Sequence, residues 1–410
     1  MSRWRHQIPV HSPLSAAALL AGIRAVAACN GGPARAEARV VTLLKERYAA
    51  RAVLLTDSGT GALTAALLAT LRDRPSGPPP VALPAYTCYD VATAADGAGV
   101  PVLLYDVDPH TLAPDLAQVQ ATLRRGAAAI VVAHLYGFPV DLGEMNRLAS
   151  DAGAVVIEDA AQAAGATLNG RPAGSQASLA VLSFGRGKGL TGGSGGALLA
   201  HDDVGERILE RVRREGALGK ARRGWPELVA ITAQWLLQRP SLYAIPAALP
   251  GLRLGQTVYR EPRPPRAPAA VSCPVIAASW PLAEREVVVR RRNARRLLVE
   301  LHRQPAFQTI STPAGACPGY LRLPVLASTV ARRAAGEAAA RSMGVMPGYP
   351  GALCDLERFG TRCLNRDGDF PGGRLLASRL CTLPTHGRLG TRDLGELERW
   401  IRALGKEAEA

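Results

Sequence analysis

Short apolar runs alternate with segments of helical periodicity between Val40 and Asp203. The apolar runs are nearly continuous, which is typical of parallel strands that are buried on both faces. Repeated alternation of strand and helix therefore predicts an α/β fold, with a mainly parallel sheet between helices on both faces. The predicted strands are AVLLTD, VALPAY, PVLLYDVD, AAIVVAHLYG, AVVIEDAAQ, LAVLSFG and GGALLAHD, and the predicted helices include 61–71, 91–99, 116–123 and 145–153.

The pattern changes after residue 260. A proline-rich stretch, 262–274, predicts a linker. A long helix over Leu282–His302, a strand at YLRLPVL and an amphipathic helix over Thr391–Leu404 follow it. We therefore expect two domains, a large one over 1–260 and a smaller α+β domain over 261–410.

The N-terminus is basic and then apolar, which imitates a signal peptide. Pro9, His11, Pro13 and Arg24 interrupt the apolar part. We therefore favour an amphipathic helix that belongs to the fold.

The most apolar segment is an apparent insertion at 228–259, and polar residues and prolines interrupt it. It contains no run of about 18 uninterrupted apolar residues, so a spanning helix is not predicted. Two interpretations stay open: a peripheral contact with a membrane surface or partner, and a pair of helices packed on the core.

The formal net charge is +15, and aromatic residues make up only 5% of the chain. No zinc-finger or RNP-type signature accompanies the arginine clusters, so we predict no nucleic-acid partner and favour solvated helix faces for most of them. Positive charge also suits anionic small molecules. The seven cysteines form no C-x-x-C pair, which indicates no metal site and favours a reducing, cytoplasmic setting.

Polar residues follow the predicted strands at the points where the strands end. In a parallel sheet these ends meet at one edge, where ligands bind. The candidates at this edge are Ser58, Gly59, Thr60, Tyr86, Thr87, Cys88, Tyr89, His134, Asp159, Gln162, Ser183 and Lys188.

Lys188 is a single lysine within the glycine-rich stretch SFGRGKGLTGG. A phosphate-binding P-loop is excluded, because Leu182 and Gly189 occupy positions where that motif needs glycine and Ser or Thr. A Schiff-base lysine for a pyridoxal cofactor fits, since flanking glycines let the backbone approach a flat ring. That cofactor also needs an acid for its ring nitrogen, donors for its phosphate and a surface against the ring. A solvated loop lysine is the simpler alternative.

Asp159 ends a buried strand, where a carboxylate needs a cationic partner such as a pyridinium. Its alternative role is the N-cap of a following helix. Ser58, Gly59 and Thr60 open a predicted helix, whose N–H groups favour a phosphate. An ordinary N-cap is the alternative for them as well.

Taken together and in this order, the motifs resemble those of one family of enzymes. They are SGTGAL at 58–63, PAYT at 84–87, DVDPHTL at 106–112, HLYG at 134–137, EDAAQAAGA at 158–166, Gly174-Ser175, SFGRGK at 183–188 and LPTH at 383–386. The chain resembles the DegT/DnrJ/EryC1/StrS sugar aminotransferases, which are fold-type I pyridoxal phosphate enzymes. The resemblance covers residues 8–210 well and 270–405 loosely.

The resemblance implies a large domain with a mainly parallel seven-stranded sheet, a smaller C-terminal domain and a homodimer. It makes Lys188 the Schiff-base residue and proton shuttle, and Asp159 the partner of the ring nitrogen. It places Gln162 near the phenolic oxygen of the ring. The residues that it implies at the cofactor phosphate are Thr60, Gly61 and Ser183, and the predicted helix start adds Ser58 and Gly59 as cofactor-binding candidates.

Two positions depart from the family pattern. Cys88 stands where an aromatic ring usually stacks on the cofactor, so Cys88 and Tyr89 are the candidates for ring contact. Arg186 replaces the usual residues before the lysine, and we list it with His134 as a candidate substrate residue.

The implied reaction moves an amino group from an amino acid, glutamate above all, to a nucleotide-linked keto-sugar in polysaccharide or glycoconjugate synthesis. Two alternatives remain: another pyridoxal phosphate reaction of lyase or aldolase type, and a non-catalytic relative that binds a membrane surface or a partner.

Overall fold

The N-terminal half of the chain is built around one large sheet. The computed structural model describes residues 5–27, 32–71, 77–248 and 257–407. The strands of this half are β1 Ala52–Thr56, β2 Val81–Pro84, β3 Val102–Tyr105, β4 Ala129–Ala133, β5 Val155–Asp159, β6 Thr167–Leu168, β7 Arg171–Pro172, β8 Leu179–Ser183 and β9 Gly196–Ala200.

Seven of these strands form the central sheet, in the order β1-β9-β8-β5-β4-β2-β3. β9 is antiparallel to both of its neighbours, β1 and β8. The other neighbouring pairs are parallel. Every residue of β2, β3 and β4 is buried, which explains their continuous apolar sequences. The predicted mainly parallel, seven-stranded sheet is confirmed.

Helices cover both faces of this sheet. The helices of this half are α1 Ala16–Ala27, α2 Gly32–Tyr48, α3 Gly59–Leu71, α4 Tyr89–Ala98, α5 Leu116–Arg124, α6 Gly143–Asp151 and α7 Asp203–Arg214. On one face α3 packs against α4, α7 and strands of the sheet. Ten of its 13 residues are buried, because its alanines and leucines leave no polar side to expose. On the other face α5 and α6 pack over the sheet residues Ile130 and Val132.

The C-terminal half combines helices with a smaller antiparallel sheet. The elements of this half are α8 Trp225–Leu237, α9 Pro240–Ala248, α10 Ser272–Leu301, β10 Phe307–Thr309, β11 Ala316–Cys317, β12 Leu323–Ala327, α11 Thr329–Ala335, α12 Ala338–Ser342, β13 Met346–Pro347, α13 Pro371–Arg379, β14 Leu380–Leu383 and α14 Thr391–Glu407. The sheet has the order β10-β12-β14-β13. Helices α10 and α14 pack on it through an apolar cluster that includes Leu297 and Leu397, which confirms the smaller α+β part.

The two halves are not separated cleanly, because β11 pairs with β6 in a three-stranded sheet with β7. The domain boundary between residues 260 and 261 stays a prediction.

The long helix α10 begins ten residues earlier than the predicted Leu282. Pro274 was assigned to the linker, but it is the third residue of this helix. The first four N–H groups of a helix have no partner within it, so a proline costs no hydrogen bond there. Its last residue, Leu301, agrees with the predicted end.

The apolar segment that we predicted as an insertion forms α8 and α9, which we call the α8–α9 segment (225–248). Leu228 and Ile231 pack against α1 and Val271, whereas Val229 and Ile245 remain 68% and 63% exposed. One side of α8 is thus packed on the protein, as the second interpretation expected for this helix, whereas none of residues 240–246 of α9 is buried. Residues 249–256 of the predicted insertion lie outside the described residues. Within the described ranges, no helix has the length and apolar character needed to cross a membrane.

A fully buried carboxylate, Glu158, lies next to the end of β5. It accepts hydrogen bonds from the backbone N–H groups of Gly174, Gln176 and Ala177, the last at 2.7 Å. Its Oε2 also lies 2.9 Å from Nε2 of His134. Because a buried charge is stable only when it is fully bonded, Glu158 fixes the loop after β7 against the ends of β4 and β5.

Replacing Glu158 with Gln tests this role. The amide keeps the shape but loses one acceptor, so donors that now bond the carboxylate are left buried without partners. We expect a loss of about 2–4 kcal/mol of stability, measured as a lower melting temperature in calorimetry. Glu144→Gln is the control, since Glu144 is an exposed residue that bonds Arg147. Equal melting temperatures for the two variants would contradict the proposed role.

Candidate active site

One cavity of about 1290 Å³ lies at the carboxyl ends of the parallel strands. Residues after β1, β2 and β8 line it, together with the α8–α9 segment, residues 260–269 and three short stretches of the C-terminal half. Ligands bind at this edge in α/β sheets. Of the predicted site residues, the ones lining this cavity are Ser58, Gly59, Thr60, Gly61, Cys88, Gln162, Ser183, Arg186 and Lys188.

The backbone around Lys188 is held on both sides. Its carbonyl accepts a hydrogen bond of 2.5 Å from Oγ of Ser12. Gly187 has a φ of +76°, a conformation that glycine adopts easily. A Cβ at Gly189 would lie 2.6 Å from Cβ of Ala164, so only glycine permits this close approach. The stretch leads into β9 and not into a helix, which agrees with the exclusion of a P-loop.

Asp159 is the last residue of β5, and its Oδ1 accepts a hydrogen bond of 3.0 Å from the N–H of Ala161. No helix begins in residues 160–166, which the structure describes, so the N-cap alternative is wrong. Burial raises the pKa of Asp159, and the positive charge of Lys188 acts in the opposite direction. The two predicted catalytic side chains are therefore close enough to interact electrostatically.

The start of α3 forms another part of the cavity. Oγ of Ser58 accepts a hydrogen bond of 3.0 Å from the N–H of Gly61, so Ser58 serves as the N-cap that we had considered. Thr60 and Gly61 line the cavity beside it. A Cβ at Gly59 would lie 2.7 Å from Cβ of Ser183. The absence of a side chain at Gly59 thus brings the helix N-terminus against Ser183, and both features favour an anion.

The two candidates for ring contact differ in position. Cys88 lines the cavity, and burial raises the pKa of its thiol to about 12. Its thiol therefore stays protonated at neutral pH and behaves as a small apolar group. Tyr89 packs in the core cluster beneath, with its hydroxyl donating to the carbonyl of Gly351 at 3.5 Å. It is not among the described residues that line the cavity.

The two candidate substrate residues also differ. Arg186 is exposed and lines the cavity. His134 is 1% exposed and bonded at both ring nitrogens, to Glu158 and to the N–H of Val140. This geometry supports a structural role for His134 and does not support the predicted contact with substrate.

Gln162 joins two tyrosines that we had not assigned to the site. Its Oε1 accepts from the N–H of Tyr136 at 3.0 Å, and its Nε2 donates to the hydroxyl of Tyr349 at 2.5 Å. The two tyrosine rings stack with centroids 5.7 Å apart. Tyr136 has a left-handed φ of +57°. It belongs to the motif HLYG, and this motif was the sequence signal that could have placed Tyr136 at the site.

The α8–α9 segment lines the cavity with Glu227, Gln234 and Gln238. Their spacing of seven and four residues places them on one side of α8, with Gln238 directly after its last residue. Gln238 is 4% exposed, and both polar atoms of its side chain lack a partner among the described residues. Unpaired buried amides are rare, so this face is suited to bind a polar ligand. Polar residues at helical spacing within an apolar segment were the signal for it.

Basic side chains outnumber acidic ones around the cavity. Such an excess attracts anionic ligands. The basic residues are Arg186, Lys188, Arg222, Arg260, Arg263, Arg266 and Arg322, and the acidic ones are Asp57, Asp90, Glu227 and Glu261.

The buried side chain of His386 bonds the backbone of a residue that lines the cavity. Nε2 of His386 donates to the carbonyl of Ile8 at 2.7 Å, and its Nδ1 accepts from the N–H of Arg388. Ile8 lines the cavity. Nearby, Glu286 bonds both His11 and the N–H of Gly387. Burial lowers the pKa of His386 to about 4, and the neighbouring His11 acts in the same direction.

Comparison with known proteins agrees with the predicted fold, that of the fold-type I pyridoxal phosphate enzymes. The aminotransferase TlmJ of Streptoalloteichus hindustanus superposes with a TM-score of 0.76 at 23% identity, over 99% of this chain and 100% of that one. Residues 35–234 match the DegT/DnrJ/EryC1/StrS aminotransferase family. This part of the chain therefore belongs to that family, whose cofactor is the predicted pyridoxal 5'-phosphate.

Two curated relatives show how far the sequence similarity extends. The L-glutamine:2-deoxy-scyllo-inosose aminotransferase of Streptomyces kanamyceticus is 37% identical over 136 residues, which are 33% of this chain and 32% of that protein. The UDP-N-acetyl-3-dehydro-alpha-D-glucosamine 3-aminotransferase of Acidithiobacillus ferrooxidans is 35% identical over 161 residues, 39% and 44% of the two chains. The similarity thus spans less than half the length of either relative.

The environment of His386 predicts a pH dependence of stability. The folded state keeps this ring neutral down to about pH 4, whereas the unfolded chain takes up a proton near pH 6.5. Stability from His386 is therefore complete above pH 6.5 and is lost as the pH falls towards 4.

We expect His386→Gln to reduce the fall in melting temperature between pH 7 and pH 5, measured by calorimetry. The exposed His110 provides the control, and His110→Gln should keep the slope of the wild type. Parallel slopes for all three proteins would show that His386 does not titrate as its burial implies.

Proposed function

We propose that this chain is a pyridoxal phosphate-dependent aminotransferase that takes an amino group from glutamate and places it on a nucleotide-linked keto-sugar. The observation that carries the proposal is the convergence of Lys188, Asp159, Ser183 and the start of α3 at one strand edge. The names of the two curated relatives support transfer of an amino group to a cyclic keto compound.

The residues present fit the cofactor. Asp159 supplies a half-buried carboxylate at the end of β5 for a protonated ring nitrogen. Lys188, whose charge acts on Asp159, supplies an amine in the cavity. The N-terminus of α3 and the hydroxyl of Ser183 would hold the phosphate. Cys88 and Gln162 would face the ring and its phenolic oxygen. When bound, the cofactor supplies an aldehyde for the amine and a ring that withdraws electrons.

The chain's own groups would then perform three tasks. The amine of Lys188 would move the proton at Cα of the donor, which is general acid–base work. Asp159 would hold a proton at the ring nitrogen throughout. The hydrogen bonds of Ser12 and the glycines of 185–193 would keep Lys188 in place while it does so.

The acceptor part of the proposal is supported by two features of the cavity. The excess of arginine suits the negative charge of a nucleoside diphosphate. The amides of Gln234 and Gln238 suit the hydroxyl groups of a sugar ring. Of the two relatives, one is named for a nucleotide-linked sugar and one for a cyclitol. The arginines around the cavity support the nucleotide-linked acceptor of these two classes.

The setting of the reaction is also part of the proposal. We infer a cytoplasmic homodimer from the family resemblance. We also infer that the exposed residues Val229 and Ile245 form a surface for peripheral contact with a membrane. Light scattering at several concentrations and sedimentation with anionic vesicles measure these two properties separately.

An absorbance titration tests the proposed function. We expect wild-type protein with pyridoxal phosphate to show the visible band of a lysine-bound cofactor, which glutamate then removes. Lys188→Ala should show no such band, because it lacks the amine. Lys220→Ala is the control, since Lys220 is an exposed lysine, and it should match the wild type.

The other outcomes separate the alternatives. A band that appears in wild type but does not respond to any amino donor would favour a lyase or aldolase reaction. A wild-type protein with no band would contradict the proposal and favour a non-catalytic relative.

A further inference from the structure

The phenol of Tyr349 lines the cavity, and Tyr349 was not among the predicted site residues. It lies just after β13 and is 7% exposed. The N–H of Gly348 donates to the carbonyl of Leu380 at 2.9 Å, and the N–H of Tyr349 donates to Oη of Tyr86 at 2.9 Å. The ring stacks on that of Tyr136, with centroids 5.7 Å apart. Backbone bonds and packing thus fix the position of the hydroxyl group.

The hydrogen bond between Gln162 and Tyr349 runs in one direction. A backbone N–H can only donate, so the amide oxygen of Gln162 must face the N–H of Tyr136, which is 3.0 Å away. The amide nitrogen therefore faces Tyr349 and donates to its Oη at 2.5 Å. Because Oη accepts this bond, the O–H proton of Tyr349 must be donated to another atom.

The O–H proton of Tyr349 has no acceptor in the part of the chain that the structure describes. Burial raises the pKa of Tyr349 well above its ordinary range, so the proton stays on the oxygen at neutral pH. A buried donor without an acceptor is costly, and this one borders a cavity. The O–H group is therefore suited to donate to an oxygen atom of a bound ligand.

The location of Tyr349 favours a substrate over the cofactor as that ligand. The predicted cofactor contacts all come from the N-terminal half, whereas Tyr349 belongs to the stretches of the C-terminal half that line the cavity, 321–322 and 347–349. Asp159 and Cys88 lie within electrostatic range of Tyr349, and Cys88 lies within range of Lys188. A substrate that reaches Lys188 therefore lies between these two walls, beside the phenol.

We propose that Tyr349 is a further catalytic residue, which donates a hydrogen bond to the carbonyl oxygen of the keto substrate. This inference rests on the proposed function, and it assigns a partner to the oxygen atom that the amino group replaces. As the C–N bond forms at this carbon, the π electrons of the C=O bond move to the oxygen. The oxygen takes two protons from the incoming nitrogen and leaves as water. Tyr349 keeps its own proton, and its hydrogen bond stabilises the negative charge that builds up on the oxygen.

Infrared spectroscopy of bound 2-oxoglutarate tests this hydrogen bond directly. This keto acid is formed from glutamate, and an isotope label at its ketone carbon separates the stretching band from those of the protein. The proteins compared are wild type, Tyr349→Phe, Tyr136→Phe and Tyr105→Phe, each saturated with pyridoxal phosphate so that Lys188 is not free to react. Tyr105 is the matched control, since it is a buried phenol that bonds the carbonyl of Val131 and is not among the described residues that line the cavity.

A hydrogen bond to a carbonyl oxygen lowers its stretching frequency. We therefore expect the ketone band at a higher frequency in Tyr349→Phe than in wild type. Titration calorimetry should show 2-oxoglutarate binding weakened by about 2- to 10-fold in Tyr349→Phe, as for loss of a neutral hydrogen bond. Tyr105→Phe should match wild type in both measurements. Equal frequencies in wild type and Tyr349→Phe, or no binding by wild type, would overturn the inference.

A kinetic measurement tests whether the bond accelerates the reaction. After glutamate has removed the visible band, 2-oxoglutarate should restore it with a limiting rate that is about 100-fold lower in Tyr349→Phe, as for loss of one preorganised donor. This loss exceeds the expected loss of affinity. An unchanged limiting rate would show that the catalytic role is wrong.

Two other outcomes would assign the proton differently. If Tyr136→Phe raises the ketone frequency and Tyr349→Phe does not, the neighbouring phenol is the donor. If Tyr349→Phe shifts the visible band of the lysine-bound cofactor and leaves the ketone band unchanged, the proton is donated to the cofactor. Either result would show that the inference is wrong.

A second variant keeps the test decisive if Tyr349→Phe does not fold, as judged by circular dichroism. Replacing Tyr349 with a fluorinated tyrosine keeps the oxygen that accepts from Gln162 and makes the O–H group a stronger donor. The ketone band of this variant should lie at a lower frequency than in wild type. A band at the wild-type frequency would contradict the proposed bond.

The two proposals fail in different ways. If wild type shows no visible band with pyridoxal phosphate, the proposed function fails. If the band forms and glutamate removes it, but the ketone frequency is the same with and without the hydroxyl group of Tyr349, only the role of Tyr349 fails.

Discussion

The arrangement of the site depends on the enclosed carboxylate of Glu158. Three backbone N–H groups and one imidazole surround it, so the loop after β7 and the end of β4 have little freedom to move. Successive residues of a strand point to opposite faces. With Glu158 fixed on one face, Asp159 is directed to the other, where it interacts with Lys188. The buried carboxylate that fixes the loop and the carboxylate that is predicted to pair with the ring nitrogen are therefore adjacent in sequence.

Much of the sheet could be predicted, because its strands are short apolar runs between helical segments. The residues that meet at one strand edge could be proposed for the same reason. His134 shows the limit of that argument: position at a strand end does not tell whether a side chain faces the cavity or the interior. The hairpin of β6 and β7 had a sequence signal, the pair Asn169-Gly170, which is typical of a tight turn. In the structure these residues have the positive φ values of +50° and +77° that such a turn requires.

Arg322 could not be predicted from the sequence alone, and the spacing of polar residues in α8 did not by itself identify a binding face. Each becomes a candidate only because the fold leaves its polar atoms buried beside a cavity and without partners. The local sequence does not show whether a polar atom lacks a hydrogen-bond partner in the folded protein. The same limit explains the early start of α10, where tolerance of Pro274 depends on its position within the first turn.

The pairing of β11 with β6 has a mechanical consequence. Residues 316–317 are joined to 167–168, and the N–H of Asn169 adds a bond of 3.0 Å to the carbonyl of Gly315. A rigid swing of the C-terminal half relative to the large sheet would have to pivot near this point or break these bonds.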